Sequence, residues 1–191
     1  KELLEKSGAT TTIFNGLVDK GIFEVYYQEI GRLNKSDVAT FELNALNPSQ
    51  QGAFSAILES FHQKNVCLLH GVTSSGKTEI YIHLIQEALK QGKQVLYLLP
   101  EIALTTQITE RLKRVFGKRL GVYHSKFPDT ERVEIWKKQL GNEEYDVILG
   151  VRSSIFLPFK RLGLVIVDEE HENTYKQQDP APRYHARSSA I

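Results

Sequence analysis

A chain of 191 residues with 41% hydrophobic content is long enough for one domain with an appendage and apolar enough for a proper core. Its net charge of +1 excludes binding to nucleic acid by bulk basicity, so any such contact has to come from local patches. Cys67, the single cysteine, excludes internal disulfides and cysteine zinc sites, and no run of about eighteen apolar residues suggests a membrane span. No signal-peptide pattern precedes the first element, so the chain reads as soluble and cytoplasmic. It begins at Lys1 and contains no Met, which suggests a piece of something longer.

Residues 1–31 do not resemble the start of a nucleotide-binding domain. KELLEKSG suggests a helix end stopped at Gly8; Thr10 or Thr11 can cap a second helix carrying Ile13, Leu17 and Val18; Gly21 ends it, and IFEVYYQEI reads as a strand. Helix, turn, helix and strand is the tail of a winged-helix arrangement, and a small helical hairpin packed on the main domain is the alternative. Residues 31–42 are polar and poorly periodic, a linker. At Asn47 a helix begins, with Asn47 as N-cap, Pro48 in the first helical position, and Phe54, Ile57, Leu58 and Phe61 as its apolar stripe. Gln50 has two readings: the third residue of a capping box, or an amide presented to the edge of an adenine.

The next stretch, VCLLHGVTSSGKT from Val66 to Thr78, is the most informative in the chain. A short apolar run, a candidate buried strand with Cys67 as a buried thiol, leads into Gly71, Gly76, Lys77 and Thr78, the fixed positions of GxxxxGK[ST]. Glycines at both ends let a loop wrap a polyphosphate with its backbone N–H groups pointing inward. Lys77 can then reach the terminal phosphates and Thr78 can ligate Mg²⁺. The helix predicted from Lys77 to Gln91 carries Ile80, Leu84, Ile85, Ala88 and Leu89 on one face, directs its positive end at the phosphates, and stops at Gly92. A glycine-serine turn that merely joins strand to helix is the alternative.

QVLYLLP is a second buried strand ending at Pro100. A helix is expected over Glu101–Phe116, with Leu104, Ile108, Leu112, Val115 and Phe116 on one side and Gly117 as its stop. A strand near Leu120–Tyr123, a helix from about Asp129 to Leu140 and a strand over Asp146–Gly150 follow. In LGLVIVDEEH, Leu164–Val167 form a central strand that delivers Asp168, Glu169, Glu170 and His171 to the sheet edge where ligands bind in open α/β folds. Asp168 is a candidate to hold Mg²⁺ through water, and Glu169 to orient or deprotonate the water that attacks the γ-phosphate. Strands alternating with helices call for an α/β fold, a parallel sheet covered on both faces.

Small-molecule kinases and ATP-driven motors both use such a loop. LLPEIALTTQ and GVRSSIF each follow a predicted strand and combine hydroxyls with Arg152, groups suited to a phosphodiester backbone, which a kinase does not need. His171 can sense the γ-phosphate, or it is an ordinary surface group. Leu46–Gln51, GVTSSGKTEIY, LLPEIALT, YHS, GVRSSIF, VDEEH and YKQQDPAPRYHAR together resemble the first motor lobe of the PriA family, primosomal superfamily 2 DNA helicases of the DExH type. The resemblance runs from about residue 46 to 191.

The resemblance implies a RecA-like lobe over 46–191, a linker over 35–45 and the C-terminal part of a winged helix over 1–34. It implies an ATP site with Gln50 on the adenine and Gly71, Val72, Thr73, Ser74, Ser75, Gly76, Lys77 and Thr78 around the phosphates. Thr78 and Asp168 hold Mg²⁺ in that reading, Lys77, Asp168 and Glu169 are catalytic, and His171 couples hydrolysis to nucleic acid. It also implies single-stranded DNA contacts by Arg152 and Ser153, and by Tyr175, Lys176, Arg183, Tyr184 and Arg187 in an aromatic-rich loop. Read without the family, that loop is only polar, with prolines and tyrosines. Ser74 stands where the family often has Gly, and Ser188 where an acidic residue is commoner. A second lobe, with its arginine finger and zinc-binding cysteines, is expected beyond Ile191. The whole is expected to unwind forks in the 3′ to 5′ sense and to restart replication with single-stranded DNA-binding and primosome proteins; another superfamily 2 motor of the restriction type, or a binding module with a vestigial loop, are the alternatives.

Overall fold

A computed structural model describes residues 10, 12–13, 16–17, 20, 43–72, 75–101, 103, 106–124 and 127–191. The chain divides into two compact units, Lys1–Arg32 and Leu33–Ile191. In the first, residues 12, 13, 16 and 17 are helical, within the second helix expected there, and Lys20 N–H donates to Gly16 O at 3.3 Å. The expected stops at Gly8 and Gly21, the strand over 22–30 and the linker over 31–42 lie outside the described residues.

The first described element of the second unit is α1, Pro48–Phe61. Asn47 Oδ1 accepts from Gln50 N–H, and Gln50 Oε1 accepts from Asn47 N–H, both at 2.9 Å, so the capping box forms as expected. Next, α2 runs over Lys77–Lys90 and buries Ile80, Leu84, Ile85 and Leu89. Gly92, at φ 70°, turns the chain into β1, Gln94–Leu98. Then come α3 (Thr106–Phe116), β2 (Leu120–Tyr123), α4 (Asp129–Leu140), β3 (Val147–Gly150), a 3₁₀ turn over Arg152–Phe156 and β4 (Leu162–Val167). A 3₁₀ turn over Asn173–Tyr175 leads to a hairpin of β5 (Lys176–Gln177) and β6 (Tyr184–His185), and α5 (Ala186–Ser189) ends the chain.

The sheet is parallel, in the order β2-β3-β1-β4. The side-chain period of two divides the core between its faces. Val95, Tyr97, Val147, Leu149 and Ile166 pack with α1, α2 and α3, while Leu96, Leu98 and Ile148 pack with Ile135 of α4, Tyr145 and Tyr175. Register pairs Tyr123 and Leu98 with Gly150, and Leu98 with Val167. All four strands therefore end at one edge, and whatever follows each strand emerges there. At the opposite edge the buried Gln94 amide does the joining: Nε2 donates to Tyr145 O at 2.9 Å, and Oε1 accepts from Lys160 N–H and Arg161 N–H at 3.0 Å.

Three expectations are corrected. Residues 66–70 form no strand; Val66 is 52% and Leu68 71% exposed, and Cys67 is an exposed thiol. An apolar run becomes a strand only when its own N–H and C=O groups pair with a neighbour, and among the described residues nothing, 66–70 included, pairs with the outer side of β4. For the same reason β4 is an edge strand rather than a central one, and β1 and β3 are the inner pair. The helix expected from Glu101 is described over Thr106–Phe116, and Glu101 and Ala103 lie outside it, because a turn closed by Ala103 N–H on Pro100 O, at 2.9 Å, follows β1 first. Among the described residues no helix is long and apolar enough to cross a membrane.

Candidate functional site

The C-terminal edge of the sheet carries a cleft of about 410 Å³ lined by residues 75–78, Arg111, Asp168 and Glu169. Its first wall is the start of α2. Gly76 sits at φ 83°, in the left-handed region, and no side chain caps the helix N-terminus, so its first N–H groups are left for a ligand. A Cβ on Gly76 would lie 2.4 Å from Gln50 Nε2, which donates to Gly76 O at 3.2 Å. Only glycine satisfies both the backbone angle and that contact. Lys77 Nζ donates to Gly71 O at 2.8 Å, turning back onto its own loop. Thr73 and Ser74 lie outside the described residues; Val72 is exposed.

The facing wall follows β4. Asp168 N–H donates to Leu98 O at 3.0 Å, which continues the ladder one residue past the strand. Tyr97 OH donates to Asp168 Oδ2 at 2.9 Å, and Glu169 N–H to Asp168 Oδ1 at 3.1 Å. Tyr175 OH lies 3.1 Å from Leu98 O and 2.5 Å from Asp168 O. Glu169 has φ 47°, unusual for a residue with a side chain and costing about 1–2 kcal/mol. That turn brings its carboxylate to 3.8 Å from Lys77 Nζ and 3.9 Å from His171 Nε2. His171 itself is 68% exposed.

Burial raises the Asp168 pKa above the ordinary carboxyl value, against the Tyr97 hydroxyl bond; the Glu169 charge raises it further, and the Glu169 N–H and Lys77 oppose it. The charged form is therefore under-compensated by the protein. Tyr97, Tyr81 and Tyr175 are all held above the ordinary tyrosine value, first by burial and then by the Asp168 charge.

The residues expected to grip nucleic acid divide. Arg152 Nη1 donates to Thr174 O at 3.2 Å and Lys176 O at 2.9 Å, so its guanidinium fastens the approach to the hairpin. Arg152 Nε and Ser153 Oγ are buried without a hydrogen-bond partner. Arg187 ion-pairs with Glu170. Lys176 and Arg183 are exposed, the latter 3.8 Å from Asp179, and the Tyr184 ring meets Phe156 edge-on with centroids 4.7 Å apart. Tyr175 corrects the sequence reading: it is fully buried with its hydroxyl engaged, so it has no face for a base. Two residues had gone unnoticed. Tyr97 could have been found as the lone hydroxyl in an aliphatic strand, which needs a buried acceptor. Arg111, 32 positions from the Glu79 it pairs with, left no local signal.

The description "DEAD/DEAH box helicase" matches residues 47–189, and "Winged helix domain, PriA helicase, Bacteroidota" matches residues 1–30. The replication restart protein PriA of Bacillus subtilis is 40% identical over 194 residues, covering 100% of this chain and 24% of its own length. That of Haemophilus influenzae is 50% identical over 147 residues, 76% of this chain and 20% of its own. The chain thus spans about a quarter of the length of such relatives. Among solved structures, a nuclease-deletion mutant of the Type ISP restriction-modification enzyme LlaGI, in complex with a DNA substrate mimic, shares the fold at a TM-score of 0.55 and 19% identity, over 69% of this chain and 16% of that one. With a helicase profile spanning most of its length and the paired loop and acidic turn at one sheet edge, the chain belongs to the DEAD/DEAH box helicase family, in which its relatives are replication restart proteins PriA.

Proposed function

We propose that the cleft binds ATP with Mg²⁺ and that the chain is the first motor lobe of an ATP-dependent helicase that moves 3′ to 5′ on single-stranded DNA. The observation that carries this is the meeting of Lys77 and Glu169 at 3.8 Å across a cleft that Asp168 also lines. Cation and hydroxyl on one wall and two carboxylates on the other are the donor set that a metal-bound triphosphate requires. Lys77 leaves Gly71 O for the phosphates, joined by the uncapped N–H groups of α2. Thr78 and Asp168 hold the metal, and the under-compensated charge of Asp168 suits a cation. Mg²⁺ supplies neutralisation of charge on the phosphoryl group. Glu169 orients the attacking water, and His171, beside it, passes the state of the site toward the DNA side.

Residues 46–191 form the RecA-like lobe in this reading, 35–45 a linker and 1–34 the end of a winged helix. Arg152 and Ser153 shape the surface, and Lys176, Arg183, Tyr184 and Arg187 contact single-stranded DNA. The whole protein would act in the cytoplasm on stalled forks, with single-stranded DNA-binding and primosome proteins as partners; zinc belongs to its second half. Residues 1–191 alone bind nucleotide weakly and turn it over negligibly, because the missing arginine contributes about 10³ to 10⁵ in rate. Titration of wild type and Lys77→Ala with ATP, with and without Mg²⁺, tests the site, and equal affinities would refute it. Strong DNA-stimulated hydrolysis by residues 1–191 would overturn the dependence on a second lobe. Unwinding of fork and linear substrates by the whole protein separates fork restart from a general translocase.

A further inference from the structure

Arg111 is the cation of the cleft that neither the loop motif nor the acidic motif contains. It projects from α3, next to the fully buried Leu112, and its guanidinium, 44% exposed, pairs with Glu79 in the first turn of α2. Glu79 is 15% exposed and also accepts from Asn44 Nδ2 at 3.3 Å, while Asn44 O meets His83 Nε2 at 2.9 Å. Glu79 therefore keeps a partner if Arg111 leaves, whereas Arg111 is released to the cleft it already lines. With its arginine 44% exposed, the pair is screened by water on that side and holds the guanidinium loosely. A polyphosphate offers the planar guanidinium several charged oxygens in bidentate geometry, a stronger contact than one carboxylate. Charge balance points the same way: Lys77 and Arg111 are the cations lining the cleft, against Asp168 and Glu169 on its lining and Glu79 beside Arg111, so the empty cleft has no positive excess and a polyphosphate draws on both cations.

We propose that Arg111 is a phosphate-contacting residue of this cleft, supplied from within the same lobe, and that Glu79 is its partner only while the cleft is empty. The inference rests on the reading of the cleft as a nucleotide site. The contrary possibility is that the pair only braces α2 against α3. The two differ in sign at Glu79, because a brace needs both partners and a ligand contact needs only the arginine.

The experiment is titration of the full chain with a non-hydrolysable ATP analogue and Mg²⁺, together with melting of the nucleotide-free protein, for wild type, Arg111→Ala, Arg111→Lys, Glu79→Gln and Lys77→Ala. Arg111→Ala is expected to weaken the analogue about tenfold or more with little change in melting, Arg111→Lys to recover part of the affinity, and Glu79→Gln not to weaken it. Parallel losses of affinity and melting temperature in Arg111→Ala and Glu79→Gln would overturn the inference in favour of a brace. Wild-type affinity in Arg111→Ala, with Lys77→Ala impaired, would overturn it and leave the nucleotide site standing. Wild-type affinity in Lys77→Ala as well would sink the site along with it.

Discussion

Lys77 and Asp168 face the same cleft, yet they are held by different means. Asp168 is set by the sheet: its N–H extends the β1–β4 ladder, its carboxylate accepts from Tyr97 and Glu169, and its carbonyl accepts from the buried Tyr175. Among the described residues the Lys77 ammonium has one hydrogen bond, to the carbonyl of Gly71 in its own loop, and residues 66–70 leading into that loop are joined to no strand. The acidic wall is fixed by the same bonds that end the sheet, before any ligand arrives. On the loop wall the Lys77 ammonium is already held by Gly71 O, so in the proposed nucleotide reading ligand and loop compete for it. Preorganisation here lies with the carboxylates.

Truncating the two walls sharpens that contrast. With nucleotide hydrolysis as the readout in the whole protein, Lys77→Ala is expected to lower the rate by about 10²–10³-fold, the loss seen when one electrostatic partner of a transition state is removed. Its melting temperature should stay with wild type, because the lost bond is to a part-exposed loop carbonyl. A Lys77→Ala protein that melts several degrees early would mean that the loop is as much a part of the framework as the acidic turn.

Tyr175→Phe works in the opposite direction. The ring stays buried, but Asp168 O loses the hydroxyl and Leu98 O is left with Asp168 N–H alone, which costs about 1–2 kcal/mol and lowers melting by about 2–8 °C for a chain of this size. Thermal unfolding of the two variants side by side checks it, and an unchanged midpoint for Tyr175→Phe would break the view that the acidic wall is fixed from beneath.

That wall should also respond to alkali. Tyr81, Tyr97 and Tyr175 have folded pKa values above the ordinary 10.0, so their contribution to stability is complete below pH about 10 and is lost as the pH rises above it. Each protonated tyrosine adds about 1.4 kcal/mol per pH unit to the slope. Urea unfolding between pH 9 and 11 should therefore fall more steeply in wild type than in Tyr97→Phe. Parallel curves would deny that the buried Tyr97 hydroxyl is held protonated in the folded protein.

What could be read in advance follows the range of the forces involved. β2 and α4 begin and end where the local pattern put them, and Asn47 with Gln50 forms the box that their spacing announced. Each of those signals is complete within a few residues. The apolar character of 66–70 says that burial is favourable and nothing about which edge is open, so its reading as a strand failed. Tyr175 is buried in the cluster of Leu96, Leu98 and Ile148, with its hydroxyl on carbonyls at the ends of two strands, one of them 77 positions away at Leu98. Arg111 is aimed by a carboxylate on another helix. Motif spacing named both walls of the cleft, and only tertiary structure revealed what supports them.

Gln50 carries the smallest and most discriminating prediction, because it touches both kinds of support. Its Oε1 closes the cap of α1 and its Nε2 donates to Gly76 O on the phosphate loop. Gln50→Ala removes both and should cost about 1 kcal/mol through the cap. Gln50→Glu separates them: a glutamate oxygen still accepts from Asn47 N–H, and glutamate is as good as glutamine at this position of a capping box. Its second oxygen then faces the Gly76 carbonyl with no hydrogen to share, so the loop loses its brace, and an adenine edge would lose its amide. Stability within about 0.5 kcal/mol of wild type, with nucleotide affinity lowered severalfold, is the expected outcome by denaturant titration and nucleotide binding. If affinity holds in Gln50→Glu, the residue is a helix cap alone, and the phosphate wall draws nothing from α1.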